Sequence, residues 1–429
     1  MKSKQIFKED NLLLVTYSVI FLFLIFQKAI YSPDTYGYLS AMPYRHLGYV
    51  VFAKTLVYVF GDLFDIAVIV IQSLFCLAGI HVLFKTISSI LNLNSVLKVL
   101  ILMVLCFPLF EPLFIANNIC PEGISYPLYL LFVAFNLKFL FKDNSKALFY
   151  IVLCFLALVL TRGQFMFSGL IFALVYMLKH KHLLLKPRVL SKSLLLIFMP
   201  ILAIAGEMSY HKLKDGIFMT TPFGFVNISS AAYYVSDKDD AKHITNADYK
   251  TIFEQSYAEL EQKELLMSSQ PESLYKSYYA FFHNHIPQIC NHTTFETAKD
   301  YFFEKNPEAP VAESYYSTEK ASKHISLVLI QHNFKKWIQL VIANMSYSFY
   351  SVFLLMFMSV AFVFNLIKMV TSFHKWYALL FIFSALSLSN AVLIAIASHS
   401  IMRYTFYNYT FILLTIIMVY KIIRYGIKD

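Results

Sequence analysis

Apolar runs broken by short polar stretches dominate the chain, and ten of them read as membrane crossings, near residues 11–31, 64–84, 96–110, 124–141, 147–160, 164–178, 193–210, 348–367, 376–397 and 404–420. Between the seventh and eighth lies a long polar, tyrosine-rich stretch. The pattern predicts an all-α polytopic membrane protein in three parts: a seven-span module (1–210) whose first outer loop is 32–62, a mainly α external domain (211–347) and a three-span module (348–429). Residues 48–60 are apolar but number only 13 and read as interfacial; with 32–41 they make two short surface helices broken at Pro43. Ser32 reads as an N-cap and Pro33 as the first helical position, so Asp34 falls in the first turn, where the helix dipole favours a carboxylate. The arms 147–160 and 164–178 are short, roughly 21–23 Å of helix against a hydrocarbon core of roughly 30 Å. That length sinks the turn at 161–164 below the outer surface, where Arg162 needs a wet cavity or a counter-ion. In the external stretch Asn246 and Pro271 read as helix openings and 216–224 as loop or short strand. Lys335, Lys336 and Trp337 read as an interfacial anchor.

Charge fixes an orientation. Eighteen basic residues fall in the loops assigned to the inside and five (Lys28, Arg45, Lys54, Arg162 and Arg403) in short outer loops, while the other 13 of the 36 lie in the long excursion. Both termini are therefore expected in the cytoplasm. The net charge of +10 is distributed around apolar runs, which excludes the single basic face that a nucleic acid would need. At 58% hydrophobic and 14% charged residues over 429 positions, the chain is outside the range of soluble globular proteins and calls for a lipid bilayer. The first apolar run lacks a small-residue cleavage site and reads as a retained anchor. Cys76, Cys106, Cys120, Cys154 and Cys290 have no metal-type spacing and read as packing residues. No phosphate-binding or dinucleotide fingerprint is present, so no cofactor is expected.

Sidedness selects the candidate chemistry, because Asp34, Glu122, Arg162 and Arg403 come from separate loops yet all fall on the outer face. Each has a structural alternative. Asp34 serves equally as a helix cap, Glu122 after Pro121 as a dipole partner, Arg403 as a snorkelling anchor and Arg45 as an interfacial cation. Taken together they offer one acidic base and several cations, which suits an anionic lipid carrier and a hydroxyl acceptor.

The chain resembles the GT-C superfamily of integral-membrane glycosyltransferases, in particular the family 39-like bacterial relatives of protein mannosyltransferases and of the lipid A aminoarabinose transferase. The resemblance rests on Ser32-Pro33-Asp34-Thr35-Tyr36 after the first span, the Arg45 to Tyr49 element, Pro121-Glu122, Thr161-Arg162-Gly163-Gln164 and Arg403-Tyr404. It covers most of 1–210 and the last span. It implies transfer of a sugar from a polyprenyl-phosphate carrier to an unknown acceptor hydroxyl at the outer face of a bacterial cytoplasmic membrane. Asp34 is then the catalytic base, and Tyr36, Arg45, His46, Glu122, Arg162, Arg403 and Tyr404 bind substrate or carrier. Many relatives carry an acidic pair in the first outer loop, whereas Thr35 follows Asp34 here, so no metal pair is expected. Two alternatives stay open: a polysaccharide polymerase or ligase using a lipid-diphosphate donor, and a lipid-linked glycan transporter, which would show repeated halves.

Overall fold

The computed structural model describes residues 2–142 and 144–426. Its helices are α1 (Lys2–Ile25), α2 (Thr35–Leu39), α3 (Leu47–Phe60), α4 (Phe64–Leu91), α5 (Ser95–Cys106), α6 (Glu122–Phe141), α7 (Ala147–Thr161), α8 (Ser168–Lys179), α9 (Pro187–Asp215), α10 (Gly224–Tyr234), α11 (Ala247–Gln262), α12 (Tyr275–Ile286), α13 (Glu296–Lys305), α14 (Val311–His332), α15 (Phe334–Ser348), α16 (Val352–Thr371), α17 (Lys375–Ala397), α18 (Met402–Thr405) and α19 (Tyr409–Tyr425). Among the described residues the only extended pairing is one parallel bridge between Ile30 and Asn118.

Among the described residues, six helical stretches are long and apolar enough to cross a membrane: Leu47–Leu91, Glu122–Phe141, Pro187–Asp215, Val352–Thr371, Lys375–Ala397 and Met402–Tyr425. The expected count of ten crossings is not confirmed by length and composition. Ser95–Leu109, Ala147–Thr161 and Gly163–Lys179 are apolar but too short on their own. The stretch 48–60, expected as a separate surface helix, instead runs into α4 through a single turn at Gly61–Leu63, where Gly61 has φ +48°. The run at 11–31 ends earlier than expected, because α1 stops at Ile25 and Ile30 hydrogen-bonds another loop.

The chain divides into two compact units: residues 1–206, 363–386 and 406–429 form the first, and 207–362 with 387–405 the second. In the first unit α6 is the central element. It packs against both α4 and α7, and nearly all of it is buried, with polar Glu122, Ser125 and Asn136 buried along with its apolar side chains. Gly79 of α4 permits the approach: a Cβ there would lie 2.8 Å from the Cα of Pro127 in α6. Lysines from three separate elements gather around the C-terminal end of α4, whose last carbonyls lack helical partners. Lys375 donates to Ile90 O (3.1 Å), Lys421 to Leu91 O (3.1 Å) and Lys142, the residue after α6, to Ser89 Oγ (2.7 Å). Lys98 pairs with Glu9 at 2.7 Å, and Lys85 pairs with Asp10. All five cysteines are buried and unbridged.

The second unit has its own core, built around Tyr233, Tyr234, Phe253, Tyr279, Phe282 and Leu329. Trp337 belongs to this core, 9% exposed, which corrects its expected place as an interfacial anchor. Lys336 on the same helix pairs instead with Asp237 at 2.7 Å. Asn246 caps α11 by accepting the Tyr249 N–H, as its position implies, but α12 opens only at Tyr275, four residues beyond Pro271. Residues 216–224 contain no strand, and Glu319 reaches them to accept the N–H groups of Phe225 (2.8 Å) and Val226 (3.1 Å) at the start of α10.

A buried polar knot anchors the loop after α17. Tyr279 donates to Asn344 Oδ1 (2.6 Å) and accepts the Ser400 N–H (3.0 Å), and Asn344 Nδ2 donates to the carbonyls of Ala395 (3.1 Å) and Ser398 (2.8 Å). His399 sits beside it, its Nδ1 3.1 Å from the His283 carbonyl. Burial pushes the His399 imidazole down to about 4 from 6.5, opposed by the hydrogen bond to the His283 carbonyl and aided by the charge of the His283 ring. An imidazole that is neutral when folded and protonates near 6.5 when unfolded contributes stability above that pH and loses it as pH falls towards 4, by at most about 3 kcal/mol. We expect His399→Asn, which keeps a donor near the Nδ1 position, to flatten the fall in melting temperature between pH 6.5 and 4. An unchanged acid profile of that variant would refute the assignment.

Candidate functional site

The expected site begins with a loop pinned at both edges. Ile30 N–H donates to Asn117 O (2.8 Å), Ile119 N–H donates back to Ile30 O (3.0 Å), and Asn117 Nδ2 reaches Leu24 O (2.9 Å). Thr35 then donates its hydroxyl to Ile119 O (3.0 Å) while accepting the Ser32 N–H (3.0 Å), and Ser32 Oγ lies 2.8 Å from Cys120 Sγ. The loop after α1 is thereby fastened to the segment that leads into α6. Ser32 is not the helix cap: Asp34 occupies that position, in αR conformation, with no capping bond from its side chain. Its carboxylate is directed elsewhere.

Asp34 Oδ1 accepts from Arg45 Nη2 at 2.8 Å. The Arg45 guanidinium lies over the rings of Tyr38 (4.6 Å) and Tyr44 (4.9 Å), an arrangement that suits a cation with a planar face. Burial opposes the Arg45 charge, but Tyr38 and Asp34 outweigh it and raise its pKa further. Tyr38 itself is fully buried, and burial drives its hydroxyl well above the usual phenol range; Arg45 opposes that shift, and Glu122 and Asp34 add to it. Tyr36, the neighbour singled out from the sequence, is 78% exposed.

Gly37 makes the pair possible. A Cβ at Gly37 would stand 2.6 Å from Arg45 Nε, so the long side chain would have to swing away. We expect Gly37→Ala to leave the fold intact and to lower activity by roughly 10- to 100-fold through misplacement of the guanidinium. Equal turnover of the variant and the parent, measured with a competent donor, would show that the Arg45 position is unimportant.

A second pair stands close by. Arg162, the residue after α7, pairs with Glu122, the first residue of α6, and both side chains are largely buried. The Tyr407 hydroxyl bonds Arg162 as well and lies 2.7 Å from Ser125 Oγ. Tyr38 ties the pairs together, since Asp34, Arg45, Glu122 and Arg162 all act electrostatically on its hydroxyl. Its ring meets Tyr49 edge-on at 5.0 Å; Tyr49 donates to Gln72 Oε1 (3.2 Å), and Gln72 Nε2 donates to the carbonyls of Ala116 (3.0 Å) and Asn118 (3.1 Å). His46 occupies the position before α3 without a capping bond from its side chain, and a Cβ on Gly163 would lie 3.6 Å from its ring. So Asp34, Arg45, His46, Glu122 and Arg162 share one region at the N-terminal end of α6, across the length of that helix from the lysine cluster. Arg403 and Tyr404 belong to the second unit, on α18, where the Tyr404 carbonyl accepts from Asn390.

No protein-family model matches this chain, and no curated protein or solved structure matches it either. The functional reading therefore rests on the site. Gln72 and Tyr407 join the site although no sequence motif marks them, whereas Tyr49 closes the Arg45 to Tyr49 element. Gln72 carried a usable signal, an amide inside an otherwise apolar 28-residue helix, where an unpaired polar group is costly. Among the described residues no cluster of three or more His, Cys, Asp and Glu side chains forms a metal site.

Proposed function

We propose that the protein is a membrane glycosyltransferase of the GT-C kind, moving a sugar from a polyprenyl-phosphate carrier to an acceptor hydroxyl at the outer face of the cytoplasmic membrane. The observation that carries the reading is the Asp34–Arg45 pair, which is partly open, set beside the buried Glu122–Arg162 pair. Four ionised groups balance to zero. An arriving phosphate monoanion competes with Asp34 for the Arg45 guanidinium, and a planar fork binds phosphate in the same bidentate way as a carboxylate. Phosphate binding thus frees the base. Asp34 then takes the proton of the acceptor hydroxyl, whose oxygen forms the new bond to the anomeric carbon. The carbon–oxygen bond to phosphate breaks, and its electron pair stays on the departing phosphate, which Arg45 and Arg162 stabilise. Glu122 holds Arg162 in place through this sequence.

The gathering of lysines at the opposite end of α6 from this cluster agrees with an outer location for the site, since cytoplasmic ends are the basic ones. Incubation of purified protein with a panel of radiolabelled polyprenyl-phosphate sugars tests the proposal. Consumption of one donor, abolished by Asp34→Asn, is the expected result; a panel left intact in the presence of membrane extract as acceptor source would overturn it.

A further inference from the structure

The second unit carries a cleft of about 300 Å³ to which no function has been attached so far. Its rim presents Tyr275, Tyr278, Gln270, Glu272, Asp237 and Lys336, and its floor includes buried Val235 and Ser236. The two tyrosine rings meet edge-to-face, 5.8 Å apart at 74°. Tyr278 is held by its own hydroxyl, which accepts the Ser273 N–H (3.0 Å), and by its carbonyl, which accepts from the Tyr234 hydroxyl (2.9 Å). Opposite, Asp237 pairs with Lys336 at 2.7 Å, and its backbone N–H donates to Asp240 Oδ2 (2.9 Å). Buried Asn333 in turn donates to that same oxygen at 2.7 Å. Gln270 is fixed by donating to Glu264 O (2.8 Å). The groups around the cleft are thus set in place before any ligand arrives, which lowers the entropy cost of binding.

Their chemistry selects a ligand class. Ring faces suit C–H surfaces, while a carboxylate, an ammonium and an amide oxygen suit a dense set of hydroxyls that both donate and accept. Two carboxylates against one ammonium disfavour a phosphate or a nucleotide, and the polar rim disfavours a lipid tail. The volume is at the small end of ligand pockets, enough for one or two sugar rings. We infer that this cleft is a carbohydrate-binding subsite. That it holds the acceptor glycan rests on the transferase reading above; that it binds sugar does not.

Saturation-transfer-difference NMR on the full chain in lipid nanodiscs, free of sugar-headed detergent, tests the inference. The probes are methyl mannoside, methyl glucoside, methyl galactoside and N-acetylglucosamine, with trilysine as a competitor. One or more of the sugars is expected to receive saturation, and the effect to fall by about tenfold in Tyr275→Ala, as for truncation of an aromatic anchor. Asp237→Asn, which retains a side-chain oxygen for the turn, is expected to weaken binding as well and guards against a folding artefact at Tyr275. Absence of transfer to all four sugars, transfer unaffected by both variants, or displacement of the sugar by trilysine would each overturn the inference. Because the readout needs no turnover, a protein that binds sugar here yet consumes no donor would sink the transferase reading alone.

Discussion

Asp34→Asn is expected to stay folded and to lose on the order of 100- to 10,000-fold in transfer rate, the usual cost of removing a proton acceptor. The substitution is close to isosteric, so it isolates ionisation. Two structural effects could imitate such a loss, and both are small. Asp34 stands at the cap position of α2 but makes no capping bond, so none is lost. The ion pair with Arg45 is 17% and 32% exposed at its two side chains, and after solvent screening its loss should cost no more than about 1 kcal/mol. Transfer rate and melting temperature, measured on one preparation, separate the outcomes: near-normal turnover in a folded variant would eliminate Asp34 as the base.

The largest effect on stability is expected at Arg162 and Glu122. Removing one member of a buried pair leaves the other charged and unsatisfied, which costs roughly 3–5 kcal/mol. Glu122 is 2% exposed, and its partner's side chain 14%. Arg162→Gln and Glu122→Gln should each lower the melting temperature strongly, whereas the double variant, with two amides able to bond each other, should recover most of the loss. Activity should not recover with it, because the cation that stabilises the phosphate is gone. A double variant restored in both stability and transfer would reduce the pair to a packing device. A double variant as unstable as the singles would show that Tyr407 and Ser125, not the charge balance, hold this region together.

What could be read from the sequence followed the range of each interaction. Helix positions came from local apolar periodicity, so most of each expected apolar run is helical, and Asn246 was recognisable as a cap from its neighbours alone. Errors arose where burial depends on a distant partner. Tyr36 and Tyr38 lie on different faces of a five-residue helix, and only the fold decides that Tyr38 takes the face beneath Arg45. Trp337 beside two lysines has the local pattern of an interfacial anchor, yet its ring joins the core formed by α10, α12 and α14. The number of crossings, not their length, is what apolar composition left open. Arms of 12 to 15 residues are apolar enough for lipid but are packed against other helices, and composition does not distinguish the two environments. Within the site, Asp34 and Arg45 are near neighbours in sequence, while the contact of Arg162 with Tyr407 joins positions no motif connects.

The attachment of the Asp34 loop to the segment before α6 sets the kind of change this region can tolerate. Its holding bonds at Ile30, Asn117 and Ile119 run largely through peptide groups, which every residue except proline supplies equally. Side chains in this ribbon are therefore free to drift in identity so long as they fit. Chain length is not. One residue gained or lost between Ile25 and Ser32 would shift the pairing with 117–119 by a step and carry the carboxylate away from its guanidinium, so homologous chains of this design should vary in spelling here but hold their spacing.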